Sequence, residues 1–289
     1  MEKVATHDGN FHADDVFGVA ILKLIYPKIK IMRTRDIEKI AKADIRVDVG
    51  RKYNPKTNDF DHHQKEFNNK RKNGIPYASA GLVWKHFGKQ LVNSEKDFNY
   101  IDESIIQPLD AVDNGIQICL KNIIDNYSVG NVINSFRPNW RKKNMNYDKE
   151  FVRAVLFATN LLKREIEFAK SLRKAREIIK TALLNSNKEY LVLDYFVPWE
   201  GLIEELSNIK FVICSYINGE WCAEAVPIKS GSFESKKLFP KKWADKIEHK
   251  LAKITGVEDA IFCHKHRFCA VAKSKEGAIK LVELALKEK

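Results

Sequence analysis

The chain lacks the features that would send it into a membrane or out of the cell. No apolar run approaches the ~18 residues that a membrane span needs. The N-terminus, MEKVATHDG, has neither the basic start nor the apolar stretch of a secretory signal. An organellar presequence is not expected, because the first cluster of ligand-type residues begins at His7. Cysteine is sparse: Cys119, Cys214, Cys222, Cys263 and Cys269 are odd in number, and no two stand in CxxC spacing. That excludes a disulfide framework or a zinc ribbon and fits free thiols in a reducing compartment. A cytoplasmic protein without a membrane partner is the expectation. Internal repeats and low-complexity segments are also missing.

What is present is a chain of 289 residues, 44% hydrophobic, enough for one large or two ordinary domains with a sizeable core. Basic residues outnumber acidic ones by 50 to 38, a net charge of +12. That balance favours an anionic partner such as nucleic acid or nucleotide. Much of the excess is lysine beside asparagine, as in KRKNG and WRKKNMN, which is also the composition of an ordinary solvated surface.

Three tight clusters stand out: THDGNFHADD, VDVG and FDHH. They contribute His7, His12, Asp14, Asp48, Asp61, His62 and His63, and ordinary α/β sequence separates them. Lys3 to Thr6 reads as a strand, Asp8-Gly9-Asn10 as a turn, and the residues from Ala13 to Pro27 as a helix. The first cluster therefore sits where a strand passes into a helix, the ligand-binding position of open α/β sheets. Ile29 to Thr34 is predicted as a second strand, Asp36 to Lys42 as a helix, and Ile45 to Val49 as a third strand with Val47 and Val49 facing away from Asp48. The stretch QKEFNNKRKNGIPYAS has the composition of a surface loop. Ser79 to His86 reads as a helix with Ser79 as its cap, and Tyr100 to Val112 as another that Pro108 breaks or kinks. LDAVDNG places Asp110 and Asp113 three residues apart, so either can serve as a further ligand. Residues 128 to 139 look irregular or weakly helical, and Asp148 to about Leu184 reads as a connector made of one long amphipathic helix or a helical pair.

Near residue 185 the texture changes to short β-rich runs: Tyr190–Asp194, Phe211–Tyr216, Trp221–Val226, Ala260–Cys263 and Phe268–Ala272. Helices are expected at Trp199–Leu206, Lys242–Thr255 and Lys275–Leu286. The fold class is α/β, with a parallel-sheet domain and its helical connector over residues 1–186 and a smaller α+β domain over 187–289.

Imidazole with carboxylate oxygen suits Mn²⁺, Zn²⁺ or Fe²⁺ better than Ca²⁺. The clusters hold more ligands than one tetrahedral site needs, and a pair of metals sharing a carboxylate would use them all. Asp15 suits a helix cap or a group that orients a ligand. His86 and His249 stand alone and read as surface or packing residues.

These motifs resemble the DHH phosphoesterase superfamily and, within it, the melanocyte-proliferating-gene (Myg1-type) family of metal-dependent hydrolases. The residues that carry the likeness are THDGNFHADD, IMRTRD, VDVG, FDHHQKEF, YASAGLVWKHFG, LDAVDNG, AVPIKSGSFESKKLFPKKW and GVEDAIFCHKHRF, which span nearly the whole chain. The resemblance implies a DHH-phosphoesterase-like sheet domain and two divalent metal ions, Mn²⁺ foremost, with Zn²⁺ or Mg²⁺ as alternatives. It implies His7, His12 and Asp48 as ligands of one metal, and Asp14, Asp48, His62 and an aspartate of LDAVDNG as ligands of the other, Asp113 being favoured over Asp110. Asp61 would orient His62, and His63 would face the scissile phosphate. The chain departs from the pattern at His12, where the superfamily usually has aspartate, at Asp15, where the family commonly has glutamate, and in lacking a GGGH motif.

In the second domain Lys229, Ser232, Ser235, Lys236, His264, His266 and Arg267 are candidates to grip phosphate. Trp199 and Trp221 read as core aromatics, with base stacking as the alternative. The clusters point to a metal-dependent hydrolase of phosphate esters, and the resemblance implies a 3′–5′ exonuclease on single-stranded RNA or short oligonucleotides. The rivals are a phosphatase of a small nucleotide such as a cyclic dinucleotide, and a non-catalytic nucleic-acid-binding protein stabilised by metal. An oligomer is compatible with the sequence, which fixes no oligomeric state.

Overall fold

Lys3–Thr6 forms an inner strand, β1, of a five-stranded sheet in the computed structural model, which describes residues 2–117, 126–141, 143, 145–184, 186, 189–216 and 218–288. Cys119 lies outside the described residues. The chain divides into two compact units, Met1–Lys170 and Ser171–Lys289. Each is a mixed α/β unit built on one five-stranded sheet.

In the first unit β1 pairs in parallel with β2 (Lys30–Arg33) on one side and with β3 (Ile45–Val47) on the other. The chain next forms a short hairpin, β4 (Tyr53–Asn54) and β5 (Asp59–Phe60), closed by a 3-10 turn over Pro55–Thr57. Pro55 supplies a preset φ, Asn54 accepts the Lys56 amide, and Asn58 takes the left-handed conformation (φ 55°) that turns the chain back. β5 runs parallel to β3, while β4 is antiparallel at the edge, giving the order β2-β1-β3-β5-β4. The sheet is therefore mixed rather than purely parallel. Two-residue strands leave no alternating pattern for the sequence to display.

The third strand also ends earlier than expected. It stops at Val47 because Asp48 has φ 55°, outside the extended region, although its amide still donates to the Phe60 carbonyl at 3.1 Å.

Helix α1 (Ala13–Ile25) lies against α3 (Ser79–Phe87), with the short α2 (Ile37–Ala41) between them in sequence, capped by Asp36. A Cβ on Gly18 of α1 would come 2.7 Å from the Val47 side chain, so glycine sets the close approach of helix to sheet. Phe17, Ile21, Val47, Phe60, Leu82 and Trp84 are fully buried in the shared core. Ser79 is the first residue of α3, not its cap: Ala78 holds the capping position, and the Ser79 hydroxyl points elsewhere. The expected helix around Pro108 is two helices, α4 (Glu95–Ile101) and α5 (Gln107–Asp113), joined by a five-residue π segment, Asp102–Ile106. The wider π turn absorbs the disruption that Pro108 would bring to an α-helix. α6 (Val129–Ser135) follows, capped by Ser128. The long α7 (Tyr147–Leu184) is one uninterrupted helix, and the boundary between the two units falls within it.

In the second unit the sheet order is β6-β7-β8-β10-β9, from β6 (Tyr190–Leu193), β7 (Phe211–Ser215), β8 (Trp221–Ala225), β9 (Ala260–Cys263) and β10 (Cys269–Ala272). Only the β6–β7 pair is parallel. Phe211, Ile213, Ala223 and Ala270 face Leu281, Val282 and Ala285 of α9 (Lys275–Lys287). The opposite face carries Leu191, Val212 and Cys214 against Trp199, Leu202 and Leu206. The helix expected at Trp199–Leu206 is a 3-10 segment, Glu200–Leu206, interrupted at Leu202. The one expected from Lys242 starts late, as α8 (Glu248–Thr255): Lys241–Trp243 form a short 3-10 turn, and Asp245, at φ 60°, leaves the right-handed region before the helix begins. No helix among the described residues is long and apolar enough to cross a membrane.

Gly81, in the first turn of α3, faces Asp110 of α5 so closely that a Cβ would overlap the carboxylate. Gly81→Ala is expected to destabilise the protein by about 3 kcal/mol, the upper end for overpacking. Urea unfolding at equilibrium measures it. A loss under about 1 kcal/mol would show that α3 and α5 can separate freely, contrary to this packing.

Candidate metal centre

Four of the ligand-type residues enter from the turn between β1 and α1. His7 follows the strand. Its Nδ1–H donates to the Asp8 carbonyl at 3.0 Å, which leaves the Nε2 lone pair pointing inward, 3.2 Å from Asp15 and 3.4 Å from Asp48. His12 caps α1 and is exposed, its ring 5.7 Å from that of His7. Asp14 is buried, and both its oxygens accept amides from the N-terminus of α3: Ser79 at 2.9 Å and Ala80 at 2.6 Å. The helix dipole favours a carboxylate there, and each oxygen keeps a second lone pair for a cation. Asp15 closes the first turn of α1 by accepting the His12 amide at 2.7 Å. Its other oxygen is buried without a hydrogen bond and faces His7. Burial pushes the Asp15 carboxyl up to about 7, against the pull of His7.

Asp48 enters from the end of β3. The left-handed backbone swings its carboxylate to the centre of the group, where Oδ1 accepts the Ser79 hydroxyl at 3.1 Å and lies 3.3 Å from His63 Nδ1. Burial alone would raise its pKa. The bonds with His63 and His7 outweigh burial and hold the carboxyl well below the usual range.

The turn after β5 brings Asp61, His62 and His63. Asp61 is bonded to His63, not to His62 as the resemblance implied. It accepts the His63 amide at 2.9 Å and ring Nδ1 at 2.8 Å, and its second oxygen accepts the Arg51 amide at 2.6 Å. An Asx-type turn reaches two residues on, so the carboxylate meets His63 first. Bonds to Asp48 and then Asp61 push the His63 imidazole up to about 10. His62 Nε2 is buried with no hydrogen-bond partner, yet carboxylate oxygens surround it: Asp113 at 3.2 Å, Asp48 at 3.7 Å and Asp14 at 3.9 Å.

The donor atoms thus gather into groups whose members lie within 4.8 Å of one another: His7, His12 and Asp48; Asp48, His62 and His63; and Asp14, His62 and Asp113. Burial, and then the charges of Asp48 and Asp113, push the Asp14 carboxyl well above its usual range. A crowd of carboxylates around an imidazole nitrogen with no proton partner fits a divalent cation of the borderline-hard kind.

Asp110 is not part of this gathering. It is fully buried against the first turn of α3, where it accepts the Gly81 amide at 3.0 Å and Arg71 Nη1 at 2.6 Å. Arg71 also makes a two-pronged bond to Asp102 at 2.8 and 3.0 Å and stacks 4.1 Å from the centre of the Tyr77 ring. The loop read as solvated surface therefore carries a buried anchor.

The centre lies in a cleft of about 1350 Å³ within the first unit. Arg35, Arg51 and Arg137 line it, and Ile105, Leu109, Val112 and Leu161 supply apolar wall. The sequence argument missed all three arginines as site residues. IMRTRD holds Arg35 directly after β2, beside the first cluster, which was the available signal. Arg137, 126 residues from the Phe11 carbonyl to which it donates at 2.5 and 2.8 Å, gave none.

In the second unit Lys229, Ser232, Ser235 and Lys236 share one hairpin-like turn, bridged by Pro227 and Ser235. Lys236 Nζ is occupied: it donates to the carbonyls of Leu206 at 2.6 Å and Ser207 at 3.0 Å, closing the 3-10 segment. Arg267, at φ 63°, donates to the Phe239 carbonyl at 3.2 Å, and His264 Nδ1 accepts the His266 amide. Lys229 and His266 are exposed. Trp199 is buried in the core.

Residues 3–286 match the model of a family described as Uncharacterised protein family (UPF0160). The chain is 33% identical to a protein of Dictyostelium discoideum named MYG1 protein, over 96% of this chain and 94% of that one. It is 30% identical to the MYG1 exonuclease of Mus musculus, over 99% and 85%, and 29% identical to that of Homo sapiens, over 99% and 86%. With the match running along nearly its whole length, the chain belongs to this MYG1 family.

Proposed function

We propose that this protein is a metal-dependent phosphodiester hydrolase with a DHH-phosphoesterase-like catalytic unit, acting as a 3′–5′ exonuclease on RNA or short oligonucleotides. The observation that carries the reading is Asp48, which belongs both to a group with His7 and His12 and to a group with His62. That is the arrangement a carboxylate bridging two cations requires. His7, His12 and Asp48 would hold one ion; Asp14, Asp48, His62 and Asp113 would hold the other, with Mn²⁺ the favoured metal. The name exonuclease carried by mammalian relatives supports a nucleic-acid substrate.

When bound, such a pair of ions supplies a hydroxide near neutral pH and neutralises charge on the phosphoryl oxygens. The chain's own residues prepare the rest. The Asp8 carbonyl fixes the His7 tautomer, so that its Nε2 faces the ligand. Asp61 fixes the His63 ring, which is half-exposed in the cleft and able to give a proton to a phosphate oxygen or leaving group. Arg137 holds the Phe11–His12 turn in place. The exposed Arg51 and Arg35 suit phosphate oxygens, and the apolar wall from Ile105 to Leu161 suits a base.

The test is digestion of a 5′-labelled single-stranded RNA with Mn²⁺, Mg²⁺ and Zn²⁺ in turn. A Mn²⁺-dependent ladder shortening from the 3′ end, abolished by chelator and restored by the metal, is expected. RNA left intact under every metal, by protein shown to hold metal, would sink RNA as the substrate.

A further inference from the structure

Alternation along the second sheet sends Cys222 and Glu224 of β8 to one face, opposite the face that α9 covers. Glu224 stands across from Cys269 of β10, and Cys222 across from Cys214 of β7. Residues directly opposite in an antiparallel pair share a face. The result is a cluster of thiols and a carboxylate unrelated to the histidines and aspartates of the first unit. The sulfurs of Cys222 and Cys269 are 3.2 Å apart, and the donor atoms of Cys222, Glu224 and Cys269 all lie within 4.8 Å of one another. Cys222 is fully buried, Cys269 nearly so, and Val271, Ile261 and Phe262 pack around them.

We propose that Cys222, Cys269 and Glu224 form a second metal site that takes a thiophilic divalent cation of the Zn²⁺ class. Two observations lead there. Glu224 is only partly exposed, and its partner is the Tyr216 hydroxyl at a long 3.5 Å; no lysine or arginine pairs with it among the described residues. A carboxylate withdrawn from water beside an apolar patch calls for a positive charge. Second, the set is two sulfurs and one oxygen. Thiolates select Zn²⁺ or Cu⁺ over the harder ions, and the carboxylate tips the set toward Zn²⁺.

The geometry is close to what the ion needs. Two sulfurs bound at about 2.3 Å in a tetrahedron lie about 3.8 Å apart, so the pair must open by about half an ångström. The chemistry is equally direct. The bond with Cys222 and then burial push the Cys269 thiol far above its usual range, and burial also pushes Cys214 up to about 12. The Cys269 sulfur is protonated until a cation displaces the proton. Binding converts two thiols and one carboxylate into two metal–sulfur bonds and one metal–oxygen bond, and releases two protons to solvent.

Cobalt distinguishes this site from the other. Reduced full-length protein, stripped by chelator, is titrated with Co²⁺ and followed in the near ultraviolet. The His and Asp centre contains no sulfur and gives no thiolate-to-cobalt charge-transfer band. The expected result is such a band, growing to a fixed plateau, bleached by Zn²⁺ and absent from Cys222→Ala/Cys269→Ala. Glu224→Gln keeps both thiols, should fold normally, and should bind Co²⁺ at least about tenfold more weakly. Wild-type protein with its thiols intact and no band overturns the proposal, as does a band undiminished in the double variant.

Discussion

Asp48→Asn is expected to lower turnover by about 10³-fold or more and leave the fold intact. Electrostatic groups at a reacting centre are commonly worth 10²- to 10³-fold each, and Asp48 serves two donor groups at once. Asparagine is the informative replacement because of the backbone. At φ 55° most residues would be strained, whereas asparagine accepts the left-handed region about as readily as aspartate. Its amide oxygen still accepts the Ser79 hydroxyl. The variant therefore removes charge and little else. Initial rates on the single-stranded RNA of the proposed activity with saturating metal, beside a thermal melt, give both readouts. Activity within tenfold of wild type would show that Asp48 is no bridging ligand. Unchanged activity with a melting temperature many degrees lower would favour a metal held for structure alone.

Arg71→Met is expected to cost about 3–5 kcal/mol of stability, the range for breaking one side of a buried ion pair. Asp110, fully buried, and Asp102, mostly so, would each lose their guanidinium partner. The loss is a large part of the stability of an ordinary domain. The penalty comes from the stranded charges, so Arg71→Met/Asp102→Asn/Asp110→Asn should recover more than half of it. Urea unfolding of the single and triple variants decides. A single variant within about 1 kcal/mol of wild type would mean that water already reaches this network.

These two residues also mark the limits of what the sequence discloses. The clusters around His7, Asp48 and His62 were readable because ligand-type side chains rarely crowd together without a reason, and the strand–turn–helix texture around them said where they would stand. The left-handed turn at Asp48 was hidden, since VDVG reads smoothly as strand. Arg71 was hidden more deeply: in KRKNG it is one of several basic residues in a stretch with every mark of solvated surface. Only the fold reveals that it is the one turned inward. The same fact explains why Asp110 and Asp113, equivalent at helical spacing, part company. Asp110 is claimed by Arg71, and Asp113 approaches His62. In the second unit, expected helices dissolved where positive φ values or 3-10 geometry intervened, features that hydrophobic periodicity does not encode. Lys236 was legible as a cation but not as one spent on carbonyl oxygens.

The seating of Asp14 on the first turn of α3 spans 65 and 66 residues of chain, the Arg137 bond to Phe11 spans 126, and the Arg33 bond to Asp148 spans 115. Contacts of such reach form late, because loop closure comes before their reward. During synthesis, most of the acidic and imidazole groups emerge from the ribosome before the segments that will orient them exist. Until then the nascent chain carries these side chains without the partners that gather them. Asp14 and the Phe11–His12 turn are thus seated only once segments translated long after them arrive.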